Sequence, residues 1–275
     1  DLGKLEGPLP ASNAASAPGI DPSAFPEGVE LLPRPVRRFK REFYACRTKY
    51  FLIYFAPEHQ DVAAKAAGEV DRIYERLSKW FGLELRTPYR IFLLPDKRTI
   101  YRATGEMRDI GGAVTSTRGT LYIAAQYYNR RVVTHELSHI FLRKKVREKR
   151  VPVWFNEGLA EYLSTRNPTS PQLMGFVRRK LSRRRLYSWR ELERQGIMLR
   201  DPEVTYLEAL SAVVFLSARF GEDKIKKLLE LYGGRGYSKP FEGAVQEVFG
   251  VSVAQLEAEW RDFLWGEGDE GRADR

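Results

Sequence analysis

The sequence predicts an α+β protein: a small mixed β-sheet with helices in the first half, then a helical C-terminal half. Three observations carry this. β-rich apolar runs stand at residues 50–55 and 89–94, apolar positions recur at helical spacing from 204 to 265, and 275 residues at 43% hydrophobic can bury a sizeable core. The longest apolar runs, Phe51 to Ala56 and Ala209 to Ala218, fall short of the roughly 20 residues that cross a bilayer, so no membrane span is expected.

Residues 1–35 are rich in Pro, Ala, Ser and Gly without hydrophobic periodicity and read as a flexible leader. The chain starts at Asp1, which favours an exported protein with its signal already removed over a cytoplasmic one. Domain boundaries follow at 36–265, with an α/β part to 143, a helical part from 144, and a charged tail over 266–275. Tyr50 to Phe55 reads as a strand ended by Pro57. Asp61 is the expected N-cap of a helix whose stripe is Val62, Ala66, Val70, Ile73, Leu77 and Trp80, ending near Gly82. Tyr89 to Leu94 is a second strand. Ala113 to Ser116 and Thr120 to Ala124 form a hairpin around Arg118-Gly119. Helices are expected over 130–143 and 154–165, then over 204–220, 222–232, 240–249 and 252–265, punctuated by Gly221, Gly233-Gly234 and Gly250.

Inside the helix at 130–143 stands His135-Glu136-Leu137-Ser138-His139. Residues four apart on an α-helix share a face, so both imidazoles can meet one ion, the spacing of zinc ligands. A chance match in a chain of this length is on the order of one in a hundred. The lone Cys46 rules out a cysteine-based zinc site, and no histidine follows His139. The third ligand is therefore expected to be a carboxylate. Glu157 and Glu161, in Trp154-Phe155-Asn156-Glu157-Gly158-Leu159-Ala160-Glu161-Tyr162, also share a helix face: one can bind the metal while the other accepts the outer N–H of a ligand histidine. Spacing alone leaves open which does which.

These two motifs resemble the gluzincin zinc metallopeptidases, the superfamily of thermolysin and the aminopeptidase N-like enzymes, and the order of elements from 50 to 265 resembles the small bacterial peptidase MA-like proteins. The resemblance implies a zincin active-site helix, Zn2+ held by His135, His139 and Glu157, and Glu136 as general base for peptide hydrolysis. Glu161 matches the acidic position of the thermolysin branch that orients a ligand histidine. The spacing from His139 to Glu157 is one residue shorter than in the aminopeptidase branch. Tyr206 is the downstream candidate for binding the oxyanion, and Gly112 and Ala113 fall where relatives have a substrate-pairing edge strand. The Gly-Ala-Met-Glu-Asn signature of the aminopeptidase branch is missing, so amino-terminal trimming is not implied. The remaining histidine, His59, lies upstream and reads as a surface residue.

The expected partner is thus a peptide or protein substrate. With 46 Lys+Arg against 36 Asp+Glu, the net charge of +10 adds an anionic surface or acidic partner, through basic runs at 143–150 and 178–185. The first run falls in the loop between the two metal-site helices, which puts it at the rim of the site. Neither run carries the interleaved aromatics of single-strand binders, so nucleic acid is not indicated. Two other readings share these features: a non-catalytic binding or scaffold protein that keeps a zincin fold, and a zinc hydrolase of non-peptide amides.

Overall fold

The structure, a computed structural model, describes residues 19–86, 88–104, 113–115, 120–182, 184–198 and 200–265. Its strands are β1 (Glu30–Leu31), β2 (Val36–Arg38), β3 (Arg41–Arg47), β4 (Phe51–Phe55), β5 (Tyr89–Leu94), β6 (Ala113–Thr115) and β7 (Thr120–Ala124). The sheet runs β1-β3-β4-β5-β7-β6, with β2 paired to β3 off that path. It is mixed: β4, β5 and β7 are parallel, and β3 and β6 run antiparallel to their neighbours. The expected hairpin is present as the β6–β7 pair, Val114 opposite Tyr122, while its turn at Ser116 to Gly119 lies outside the described residues.

Alternation sorts the strand side chains onto two faces. Phe51, Ile53 and Phe55 of β4, Ile91 and Leu93 of β5, and Leu121 and Ile123 of β7 join the main core. On the other face Leu52, Tyr54, Phe92, Leu94, Tyr122 and Ala124 form a smaller core with Phe43 of β3 and Ile100 of helix α2 (Lys97–Thr104). Phe39, in the left-handed turn between β2 and β3, packs edge-on against Phe92 and Tyr122 and covers that second core.

Helix α1 (Gln60–Phe81) crosses from β4 to β5 and buries Val70, Ile73 and Leu77 against the main face. It starts two residues earlier than expected. His59 holds the N-cap position without a side-chain cap, Asp61 lies in the first turn, and Gly82 closes the helix at φ 58°. After β7, α3 (Arg130–Lys145) is capped by Asn129, whose Oδ1 accepts from the Val132 N–H, and α4 (Val153–Ser164) follows. Then come α5 (Pro171–Leu181), α6 (Trp189–Leu192), α7 (Gln195–Met198), α8 (Pro202–Phe220), α9 (Glu222–Tyr232), α10 (Phe241–Phe249) and α11 (Val253–Trp265). The α+β class with a helical C-terminal half is the observed architecture.

One boundary moves. Residues 19–35 are not leader: Ile20 and Phe25 are buried, the Phe25 ring lies 5.6 Å from that of Phe55, and β1 pairs with β3. Two isolated anchors in a Pro-rich stretch have no periodicity to read, yet each fills a place in the core. No single described helix is long and apolar enough to cross a membrane.

Candidate metal centre

Helices α3 and α4 lie antiparallel, because rising positions on one meet falling positions on the other. The chain reverses through residues 146–152, where Arg147 and Glu148 both take left-handed backbone angles, φ 54° and 61°. Ion pairs from Arg143 and Lys144 to Glu148 hold the turn. A glycine sets how closely α4 can lie against α8. A Cβ on Gly158 would come within 2.2 Å of the Ala209 carbonyl oxygen and 2.9 Å of Val213, so only a residue without a side chain fits beside Glu157.

At the α3–α4 contact, His135 Nε2 lies 3.3 Å and His139 Nε2 3.5 Å from the same oxygen, Glu157 Oε2. One ligand atom from each of the three residues falls within 4.8 Å of the others. Around a tetrahedral ion with bonds of about 2.0–2.2 Å, ligand atoms sit about 3.3–3.6 Å apart, so these separations fit a metal held by two imidazoles and a carboxylate. His139 Nε2 is buried and makes no hydrogen bond among the described residues. The three residues can hold a metal ion.

The outer nitrogens are committed elsewhere. His135 Nδ1 is 3.0 Å from Glu161 Oε1, and His139 Nδ1 is 2.9 Å from Asn156 Oδ1. An acceptor at Nδ1 keeps the proton on that nitrogen and turns the Nε2 lone pair toward the cluster. Burial works against a charge on His135, but hydrogen bonds to Glu157 and Glu161 outweigh it and lift the imidazole to about 10. Burial likewise opposes the charge on Glu161, yet its bond to His135 and its pairing with Arg131 hold it below the ordinary carboxylate range.

The structure therefore brings His135, His139, Glu157 and Glu161 together and adds Tyr206, from the second turn of α8, whose ring lies 6.1 Å from that of His135. Glu136, on the same helix, is buried. Ala113 opens β6 opposite Ile123, at the end of the sheet order, while Gly112 lies outside the described residues. His59 is half-buried rather than on the surface, and its Nε2 is enclosed.

Reading the sequence left three site residues without a role: Asn156, Arg131 and Gly158. Each carried a signal. Asn156 immediately precedes Glu157, Arg131 continues the His135–His139 stripe one turn back, and a glycine inside a helix marks a close approach.

Side chains of the basic run at 143–150 are engaged by groups outside this cluster. Lys149 Nζ donates to the carbonyls of Tyr232 and Tyr237 at 2.6 and 2.7 Å, and Lys145 pairs with Glu230 of α9. Members of the second run are paired too: Lys180 with Glu203, Arg184 with Asp201 and Arg185 with Glu191, Arg183 lying outside the described residues.

No curated protein matches the chain. A family model for the peptidase MA superfamily matches residues 73–266, more than two thirds of the length, and spans every residue of the metal cluster. With a helix-borne histidine pair and a facing glutamate inside that match, the chain belongs to the peptidase MA superfamily.

Proposed function

We propose that this protein is a zinc-dependent metallopeptidase that hydrolyses peptide bonds. The observation that carries the reading is the convergence of His135, His139 and Glu157, with both imidazoles fixed from behind by acceptors on α4. Two nitrogens and one oxygen, with no thiolate, form a ligand set of catalytic zinc sites, which keep a fourth position open. When bound, zinc supplies the positive charge that makes a water acidic near neutral pH and draws electrons from the scissile carbonyl.

The protein residues do the rest. Glu136, one position and about 100° round the helix from His135, takes a proton from the attacking water and delivers it to the leaving amine. Tyr206, through its hydroxyl, donates a hydrogen bond to the oxygen that gains charge in the tetrahedral intermediate. Strand β6, beginning at Ala113, offers backbone groups to an extended peptide as an added strand.

The test is metal analysis of purified protein, combined with cleavage of a proteome-derived peptide library by wild type and by Glu136→Gln. Expected are one zinc per chain in both proteins and a loss of turnover of about a hundredfold or more in Glu136→Gln. His135→Ala and Glu157→Ala should lose the metal. Equal cleavage by wild type and Glu136→Gln sinks the peptidase assignment, and no zinc with no cleavage supports a scaffold role.

A further inference from the structure

Arg131 lies four residues before His135, as His135 lies four before His139, so all three stand on one stripe of α3. Opposite them, Glu161 and Glu157 stand four apart on α4. The contacts step down this ladder: Arg131 to Glu161, His135 to Glu161 and Glu157, His139 to Glu157. The two oxygens of Glu161 are divided. Oε1 faces His135 Nδ1, and Oε2 receives the Arg131 guanidinium. A carboxylate held at one oxygen can rotate about its last torsion; held at both, it cannot without breaking a charge-assisted bond.

We propose that Arg131 is a positioning residue for the metal centre, locking Glu161 so that it presents one fixed acceptor to His135 and aims Nε2 at the ion. The inference rests on the zinc reading above and adds to it a residue outside the ligand set. Arg131 carries a positive charge that by itself would repel a second cation. Its side chain is 61% exposed, against 11% for Glu161, so water screens that repulsion while the geometric hold acts on a buried group.

The experiment is a Zn2+ titration of the full chain in competition with a chromophoric chelator, for wild type, Arg131→Ala, Arg131→Lys, Glu161→Ala and Arg131→Ala/Glu161→Ala. Losing the direct partner of a ligand histidine costs about 10–100-fold in metal affinity, so Glu161→Ala should fall in that range. Arg131→Ala, acting through Glu161, should weaken zinc about 3–10-fold by the same effect one step removed, and Arg131→Lys should recover part of it. The double variant should bind no more weakly than Glu161→Ala alone. With Co2+ in place of zinc, the visible bands of Arg131→Ala should differ from wild type, a change that a purely structural role would not produce. Wild-type affinity in Arg131→Ala, tighter binding in it, or an equal further loss in the Glu161→Ala background each overturns the positioning role while leaving the zinc reading intact. A wild type that binds neither metal overturns both.

Discussion

The two ends of α3 are equally crowded with charge and use it in opposite ways. Toward the N-terminus, Arg131, His135 and His139 converge with Glu161 and Glu157 on one line between two helices. Toward the C-terminus, charges diverge onto the ends of other elements. Lys145 sits beside the C-cap of α1 at Gly82 and pairs with Glu230, and Lys149 bonds the carbonyl of Tyr232 at the end of α9. Helix C-termini carry partial negative charge, so basic side chains beside the ends of α1 and α9 complement their dipoles, and Lys149 also satisfies carbonyls. Charge density therefore says little about function; spacing on one helix face says much more.

The comparison can be broken most sharply with glycine. Gly158 and Gly233 are both closed to a Cβ, by the carbonyl oxygens of Ala209 at 2.2 Å and of Lys145 at 2.1 Å. Either Gly→Ala change should cost about 3 kcal/mol in denaturant unfolding, since a backbone wall cannot step aside. Only Gly158→Ala should also weaken zinc binding by the folded protein, because it shifts the helix that carries Glu157. Equal zinc affinity in the two variants would erase the distinction between the ends.

A smaller effect separates the helices behind each end. α8, backing the metal end, carries Glu208 fully buried: Oε1 accepts from the Tyr187 N–H and Oε2 has no hydrogen-bond partner among the described residues. Burial raises its pKa from 4.5 to about 8. A carboxyl whose folded pKa is raised costs nothing below pH 4.5, a growing amount as pH climbs toward 8, and a constant amount above. Glu208→Gln should thus gain about 2 kcal/mol above pH 8 and little at pH 4.5, read from unfolding curves at both values. A gain of the same size at both would show that ionisation is not its source.

Smallest is Lys149→Ala. Losing two carbonyl bonds and contacts with the Tyr232 and Tyr237 rings should cost about 1 kcal/mol, with zinc affinity unchanged. Weaker zinc binding here would tie the basic end to the site after all.

Much of this was legible because periodicity is a local signal. α1 and the C-terminal helices α8 to α11 lie within two residues of their expected bounds, since each writes its buried stripe directly into the sequence. β3 was missed: Arg41-Glu42 open it and Arg47 closes it, leaving no alternation to see. The short α6 and α7 went unseen for want of length. At the site, spacing identified His135 and His139, and it put Glu157 and Glu161 on one face. It left their division of labour open, because that depends on how far α4 slides along α3, which the turn at 146–152 and the close approach at Gly158 determine. Arg131 was invisible for the same reason: only the stagger brings it opposite Glu161.

All of the ladder's contacts lie between residues 131 and 161, joined by one short turn. Their contact order is low, and closing a loop of that length costs little chain entropy. The sheet, by contrast, needs β1 and β6, some eighty residues apart in sequence, to be in place. The α3–α4 contacts can therefore form as a local unit ahead of the slower sheet, while the final seating of Glu157 waits for α8, whose Ala209 carbonyl closes on Gly158.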